Sequence, residues 1–261
     1  MPYSIATHCL ILRLSLALCL LSSEAYAASP SPWWMTVEGG YAFNTASAKT
    51  TVEPMPKVLP PNDNYVSQAP QNTGLLGIGA SYQFTLPERQ NFPTSWLRTD
   101  RLGLFYDYYL PTTINGAIYK SQGPSAPYTY QYTAVSNVVW LDNQTDIISW
   151  RNLTPFIDIA VGGAFNRSSA YGEAAVSPYP PRINAAFANQ TDAQWAWRAG
   201  AGIDYLLPLR NTPLHLGLAY RYSDLGNVST GKASATYPTM TQVLTQHLVA
   251  NEVILSLRYA V

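Results

Sequence analysis

The chain has 261 residues, and its 15 Lys and Arg balance its 15 Asp and Glu, so a basic nucleic-acid-binding surface is not indicated. Only 11% of the residues are charged, far below the roughly 25% typical of soluble domains. Mean hydropathy is nevertheless -0.06, and no run of about 18 apolar residues follows residue 27, which excludes spanning helices. Low charge with neutral hydropathy indicates strands that alternate in character.

The first 27 residues have the features of a secretory signal peptide. Arg13 supplies the positive charge, and Leu14 to Leu21 form a largely apolar core. Ala25-Tyr26-Ala27 is a small-x-small cleavage site, so we expect cleavage after Ala27. Cys9 and Cys19 both lie in this segment, which leaves the mature chain, residues 28–261, without thiols or disulfides.

Eight later segments alternate with a period of two between apolar residues and polar or small ones. The clearest is Gln194 to Leu207, in which the odd positions are apolar and the even positions include Arg198 and Asp204. Such alternation places the two sets on opposite faces of a strand. The predicted strands, in chain order, are 33–43, 74–84, 101–110, 130–141, 155–166, 194–207, 214–222 and 249–261.

This pattern predicts an all-β fold, an eight-stranded antiparallel up-and-down transmembrane β-barrel that is apolar outside and polar inside, in the outer membrane of a bacterium. The first strand should pair with the last, because unsatisfied backbone groups at a free edge are costly in lipid. Alternation is weakest in the fourth strand. There we expect the following side chains to face outward: Tyr130, Tyr132, Ala134, Val138 and Trp140.

The connections also alternate in character. Long segments rich in Pro, Ser, Thr, Asn and Gly follow every odd-numbered strand, at 44–73, 111–129, 167–193 and 223–246. The others include the short 208–213, although 86–100 is longer. Long loops face the cell exterior in such barrels. The rings of Tyr128, Tyr130 and Tyr132 suit either contact with a partner or the outer aromatic belt, and both interpretations stay open.

Charged side chains fall on the inward face of the predicted strands. They are Glu38, Asp107, Asp158, Arg198, Asp204, His215, Arg221, Glu252 and Arg258. Eight strands leave an interior filled by side chains, and buried charges must pair. We therefore predict a lumenal polar network in which Arg198 or Arg221 contacts a carboxylate and Arg258 lies near Asp204 or His215. The alternative is an ion path through the same charges.

Several phrases resemble the small outer-membrane barrels of the opacity-protein and OmpA-like superfamily. They are Thr154 to Ala164 (TPFIDIAVGGA), Ala199 to Tyr205 (AGAGIDY), Tyr220 to Gly226 (YRYSDLG) and Leu255 to Tyr259 (LSLRY). The resemblance covers essentially all of the mature chain and implies its fold and location. Members of the family usually end in Phe, whereas this chain ends in Val261.

The sequence contains no phosphate-binding loop, nucleophile elbow or metal-ligand cluster, so no cofactor and no metal are expected. We expect a non-catalytic barrel with a structural role or a role as adhesin or surface antigen. One alternative is a narrow small-solute channel. Another is a lipid-modifying enzyme that uses His247 with Ser223 or Ser229.

The expected partners follow from the predicted location. They are outer-membrane lipid and lipopolysaccharide, the barrel-assembly machinery through the C-terminal strand, and a host or neighbouring cell surface through the long loops. No nucleic acid is expected, and the barrel should be a monomer.

Overall fold

The structure, a computed structural model, describes residues 32–44, 49–52, 63–68, 71–85, 99–120, 127–179, 187–207, 214–232 and 243–261. The predicted signal peptide and most of the 86–100 connection lie outside these residues. No helix within the described ranges is long and apolar enough to cross a membrane. The strands are β1 Trp33–Asn44, β2 Lys49–Val52, β3 Asp63–Ser67, β4 Thr73–Thr85, β5 Thr99–Lys120, β6 Tyr128–Asp146, β7 Leu153–Ala175, β8 Gln190–Leu207, β9 Leu214–Ser229 and β10 Thr245–Ala260.

Eight of these strands close into an antiparallel ring in the order β1, β4, β5, β6, β7, β8, β9 and β10. β10 returns to β1, and their pairing runs from Trp34 opposite Ala260 to Asn44 opposite Ala250. Closure gives the backbone groups of both strands hydrogen-bond partners within the wall, as a lipid environment requires. The predicted eight-stranded barrel and its first-to-last pairing are confirmed.

The outer wall of the ring is an apolar band. Its exposed side chains include Val37, Ile78, Leu104, Val139, Leu141, Ile157, Ile159, Ile203, Leu218 and Leu255. On β7 the band runs from Pro155 to Phe165. Ten residue steps at a tilt of about 40° span roughly 26 Å of height, which matches the roughly 25 Å apolar band of outer-membrane barrels.

Charge on this wall is confined to the two ends of the band. Among the described side chains, Asp100 and Arg151 lie at the end with the shorter connections, and Arg167 and Asp224 lie at the opposite end. A charge on the lipid face would cost several kcal/mol near the bilayer centre. The apolar band with charge only beyond its ends makes the chain an integral outer-membrane barrel.

The facing predicted for the fourth strand is wrong. Tyr130, Tyr132, Ala134, Val138 and Trp140 are all buried inside the barrel, whereas Val139 and Leu141 are exposed on the outer wall. The cause is that the inner face of β6 carries large rings rather than small polar residues. Alternation gives the period of such a strand but not which face is outside.

The strands continue well beyond the band, so the predicted loops are shorter than the sequence suggested. β5 reaches Lys120, β7 reaches Ala175 and β9 reaches Ser229. The predicted loop 44–73 contains the β2–β3 hairpin, and β3 pairs with the upper part of β5. Pro111, predicted at a strand end, lies where the register of β5 shifts between Tyr109 and Thr112, a position that tolerates its missing N–H.

Candidate functional site

The centre of the lumen is occupied by a cross-barrel contact from β8. Arg198 is fully buried, and its Nη1 donates to Asp107 Oδ2 at 2.6 Å. Its Nε and Nη2 donate to Asp142 Oδ2 at 3.2 and 2.8 Å. Trp140 Nε1 also donates to Asp107 Oδ2, at 2.8 Å, and the guanidinium lies 5.0 Å from the Trp140 ring centroid. One arginine thus connects β8 to β5 and β6 across the interior.

A second arginine extends this arrangement to the closing strands. Arg221 Nη1 donates to Glu38 Oε1 at 2.7 Å, and its Nε donates to Asp158 Oδ2 at 2.8 Å. Arg198 Nη1 lies 3.9 Å from the same Glu38 oxygen. We call Arg198, Arg221 and their four carboxylate partners the central ion-pair layer. It connects six of the eight ring strands through side chains alone.

A second set of ion pairs lies nearer the short connections, and we call it the lower ion-pair layer, with the end that carries the long connections taken as the top of the barrel. Arg101 donates to Asp146 at 2.6 Å and to Asp204 at 3.0 Å. Arg258 also donates to Asp204. His215 is the neighbour of Arg258 in the β9–β10 register, and its ring packs edge-on against Trp34 at 5.0 Å.

Inward glycines make room for these carboxylates. Each of four aspartates faces an inward glycine in the strand register: Asp107 faces Gly77, Asp142 faces Gly103, Asp158 faces Gly200 and Asp204 faces Gly217. A Cβ added at Gly200 would lie 2.5 Å from Asp158 Oδ1, and one at Gly217 would lie 2.7 Å from Asp204 Oδ1. The missing side chains therefore let the carboxylates lie against the wall.

Above the central layer, Glu252 is the one predicted carboxylate that no arginine contacts within ion-pair distance among the described residues. Tyr109 Oη donates to Glu252 Oε1 at 2.5 Å, and Glu252 is fully buried. A cavity of about 10 Å³ lies nearby, lined in part by Tyr109, Ser136 and Leu248. This volume is room for about one water molecule.

The part of the lumen at the end with the long connections is mainly aromatic. Tyr65, Tyr130, Tyr132, Tyr171 and Phe187 cluster there, and we call them the aromatic core. Tyr171 Oη donates to Glu173 Oε1 at 2.6 Å, and the ring centroids of Tyr171 and Phe187 are 4.8 Å apart. Burial raises the pKa of the Tyr130 phenol to about 12.

Both interpretations that the sequence left open for Tyr128, Tyr130 and Tyr132 are wrong. All three rings are at most 5% exposed, so they form neither a contact surface nor an outer belt. This strand segment looked like a loop in the sequence because its outer face meets water rather than lipid and therefore carries no apolar residues. Its outward neighbours, Thr129 and Gln131, are polar for that reason.

All nine residues predicted for the lumenal network lie on the inner face, and the structure adds Arg101, Asp142 and Asp146 to them. Asp142 and Asp146 were missed because the predicted fourth strand ended at residue 141, whereas β6 continues to Asp146, and because its predicted facing was inverted. Arg101 lies at an odd position of its predicted strand, as do the inward-facing Gly103 and Asp107. The alternation in the sequence was therefore sufficient to predict that Arg101 faces inward. The direct contacts of Arg221 with Glu38 and of Arg258 with Asp204 agree with the sequence-based expectation.

His247, the candidate base of a lipid-modifying enzyme, lies on the outer wall. Its Nδ1 is 3.1 Å from Asn227 Oδ1 and its Nε2 is 3.1 Å from Asp224 Oδ2. Ser223 is buried on the inner face, and Ser229 Oγ lies 3.1 Å from Thr245 Oγ1. Among the side chains with described positions, no three His, Cys, Asp or Glu are placed to hold a metal ion.

No family model matches the chain, and no curated protein sequence matches it. Solved structures similar to it include Neisserial surface protein A, at 10% identity and a TM-score of 0.42, covering 90% of this chain and 100% of that one. The outer-membrane protein OprG from Pseudomonas aeruginosa is 12% identical with a TM-score of 0.42, covering 88% and 97%. The transport unit of the autotransporter AIDA-I from Escherichia coli is 11% identical with a TM-score of 0.38, covering 96% and 97%.

Proposed function

We propose that this chain is a non-catalytic outer-membrane barrel with a sealed lumen and a structural or adhesin role. Its strands extend beyond the apolar band and carry their loops at the cell surface. We propose as well that it belongs to the opacity-protein and OmpA-like superfamily, on the strength of the four sequence phrases. The observation that carries the functional proposal is the filling of the lumen from one end to the other.

Two physically different fillings occupy the lumen in series. The ion-pair layers hold charged side chains that are at most 13% exposed, and the aromatic core lies above them. An ion would have to displace bonded guanidinium groups and then cross a plug of packed aromatic rings. Neither step is favourable, because a charge without partners is costly in an apolar environment. This supports a sealed barrel over a channel.

The parts of the strands that extend beyond the apolar band support a role at the cell surface. On β6 and β7, paired residues continue for eight positions beyond Arg167, which is roughly 20 Å above the band at a tilt of about 40°. The β9–β10 hairpin is closed above the aromatic core by Thr230 N, which donates to Leu244 O at 2.8 Å. The hydrogen-bonded wall therefore carries the points from which these connections start away from the lipid surface.

Single-channel recording in planar bilayers tests the sealed lumen. The full mature barrel should give no stable current steps in concentrated KCl. A variant with Trp140→Ala, Arg198→Ala, Tyr130→Ala and Tyr132→Ala, which removes buried side chains from both fillings, controls for sensitivity and should give measurable current. Stable steps from the wild-type barrel that scale with salt concentration would refute the proposal.

Whole-cell binding tests the surface role. Residues 233–242 can be replaced by a short Gly-Ser turn, because the Thr230–Leu244 pair below them closes the hairpin. A matched variant shortens 121–126 instead. Loss of binding to host-cell or bacterial surfaces in one variant, with heat-modifiable gel mobility retained in both, supports an adhesin role. Unchanged binding in both leaves only the structural role.

A further inference from the structure

One part of the outer wall carries an exposed cation directly above the apolar band. Arg167 is exposed on β7, two residues above Phe165. Its guanidinium makes no hydrogen bond or ion pair with any side chain in the described ranges. This separates it from the four lumenal arginines, which are all bonded to carboxylates. An exposed guanidinium at this height lies where lipid headgroups begin.

The residues around Arg167 are neutral hydrogen-bonding groups. Thr191 is its register partner on β8, and the pair Thr133 and Ser169 lies two positions higher on β6 and β7. Directly opposite side chains such as Arg167 and Thr191 are neighbours at about 5 Å, and diagonal ones such as Arg167 and Thr133 at about 7–8 Å. Hydroxyl groups beside a guanidinium suit a ligand that carries both phosphate and sugar oxygens.

Below Arg167 the wall has a shallow apolar trough. Gly163 is its floor, and a Cβ added there would meet no atom within 4 Å. Val139 on β6 and Trp195 on β8 flank Gly163 in register. Trp195 is 86% exposed and stands out from the wall, so the trough has one high side. Phe165 projects from the wall between Gly163 and Arg167, and its register partner on β8 is the small Ala193. An acyl chain against Gly163 therefore passes the Phe165 ring on the Ala193 side while its headgroup reaches Arg167.

The remaining outward carboxylate at this end of the band, Asp224, lies two strands away from Arg167, on β9. Asp224 on β9 is engaged by His247 and by the backbone N–H of Gly226 at 3.0 Å. The wall formed by β6, β7 and β8 therefore presents positive charge without a competing outward carboxylate among the described side chains. This charge distribution is complementary to an anionic headgroup and not to a cationic one.

We propose that Arg167, the hydroxyl groups above it and the Gly163 trough below it form a binding site for a phosphorylated glycolipid of the outer leaflet. Arg167 holds the phosphate through charge-assisted hydrogen bonds. Thr191, Ser169 and Thr133 contact sugar oxygens, and an acyl chain lies against Gly163 and Trp195. The site does not depend on the loops or on the sealed lumen.

The test uses the full mature barrel in detergent micelles, titrated with fluorescently labelled, bisphosphorylated hexa-acyl lipid A. Arg167→Ala should weaken binding about tenfold, since it removes a charge-assisted contact. Arg151→Ala removes an exposed arginine at the opposite end of the barrel and should leave the Kd unchanged. Dephosphorylated lipid A should bind the wild type and Arg167→Ala equally. Heat-modifiable mobility shows that each variant is folded.

Gly163→Leu fills the trough and should weaken lipid A binding without affecting folding, because the added atoms project into open space. Wild-type affinity in Arg167→Ala, or an equal loss in Arg151→Ala, would overturn the site. Wild-type affinity in Gly163→Leu would overturn the role of the trough. If phosphatidylglycerol binds the wild type as tightly as lipid A, the assignment to a glycolipid is wrong.

Discussion

Replacing Arg198 by Met tests whether the central ion-pair layer stabilises the barrel. Methionine keeps most of the side-chain volume but removes the cation that contacts Asp107 at 2.6 Å and Asp142 at 2.8 Å. Both carboxylates are nearly fully buried, so they would lose a guanidinium that water cannot replace. Removing one partner of a buried ion pair costs about 3–5 kcal/mol, and we expect a loss of this size for Arg198→Met.

Urea unfolding in detergent micelles measures this loss. With a denaturant slope of about 2 kcal/mol per molar, the midpoint should fall by about 1.5–2.5 M. The triple variant Arg198→Met, Asp107→Asn, Asp142→Asn removes the stranded charges as well and should recover at least half of the loss, because a buried ion pair replaced as a whole is often neutral. Arg167→Met, at an exposed position, should change the unfolding free energy by no more than about 0.5 kcal/mol.

Two results would refute this reasoning. A midpoint for Arg198→Met equal to that of the wild type would mean that the ion pairs contribute no net stability. A triple variant as unstable as the single one would mean that packing, and not charge, is what Arg198 supplies.

Three further predictions follow from the same contacts. Gly200→Ala should destabilise the barrel by about 1–3 kcal/mol in urea unfolding, because its Cβ would lie 2.5 Å from Asp158 Oδ1 and 2.7 Å from the Tyr220 carbonyl oxygen, whereas Gly163→Ala should not. Burial raises the pKa of Tyr130 from 10.0 to about 12, so the unfolded chain loses the phenolic proton first and stability falls as pH rises through this interval. Tyr130→Phe should reduce the fall in stability measured between pH 9 and 12. An identical fall in the wild type and in Tyr130→Phe would contradict this prediction. Trypsin added to intact cells should cut after Arg182 and not after Arg167, which lies inside the hydrogen-bonded strand β7, and mass spectrometry of the released fragments decides between the two.

The sequence alone determined the type of barrel and the facing of seven strands. In β8, Trp195 and Ile203 are apolar, and Arg198 and Asp204 between them are not. In a wall embedded in lipid the apolar set must face outward and the charged set inward, because charges cannot face hydrocarbon. The pairing of β1 with β10 also followed from the sequence, since an even number of strands must close to satisfy both edges.

The facing of β6 and the height of the wall were decided by the tertiary structure. Trp140 looked like a lipid-facing residue, but it lies inside because its indole N–H donates to Asp107 on the neighbouring strand. The segment 113–119 looked like part of a loop because its outer face meets water. Only its pairing with β6, from Thr113 opposite Thr133 upward, shows that it is a strand.

The partners of the lumenal charges were likewise beyond the sequence. Arg198 bonds to Asp107, 91 positions earlier, and Arg221 bonds to Glu38, 183 positions earlier. Which strands face each other across the lumen depends on the tilt and stagger of the closed ring, a property of all eight strands together. The sequence could place these side chains inside the barrel, but only the closed ring brings each arginine to its carboxylate.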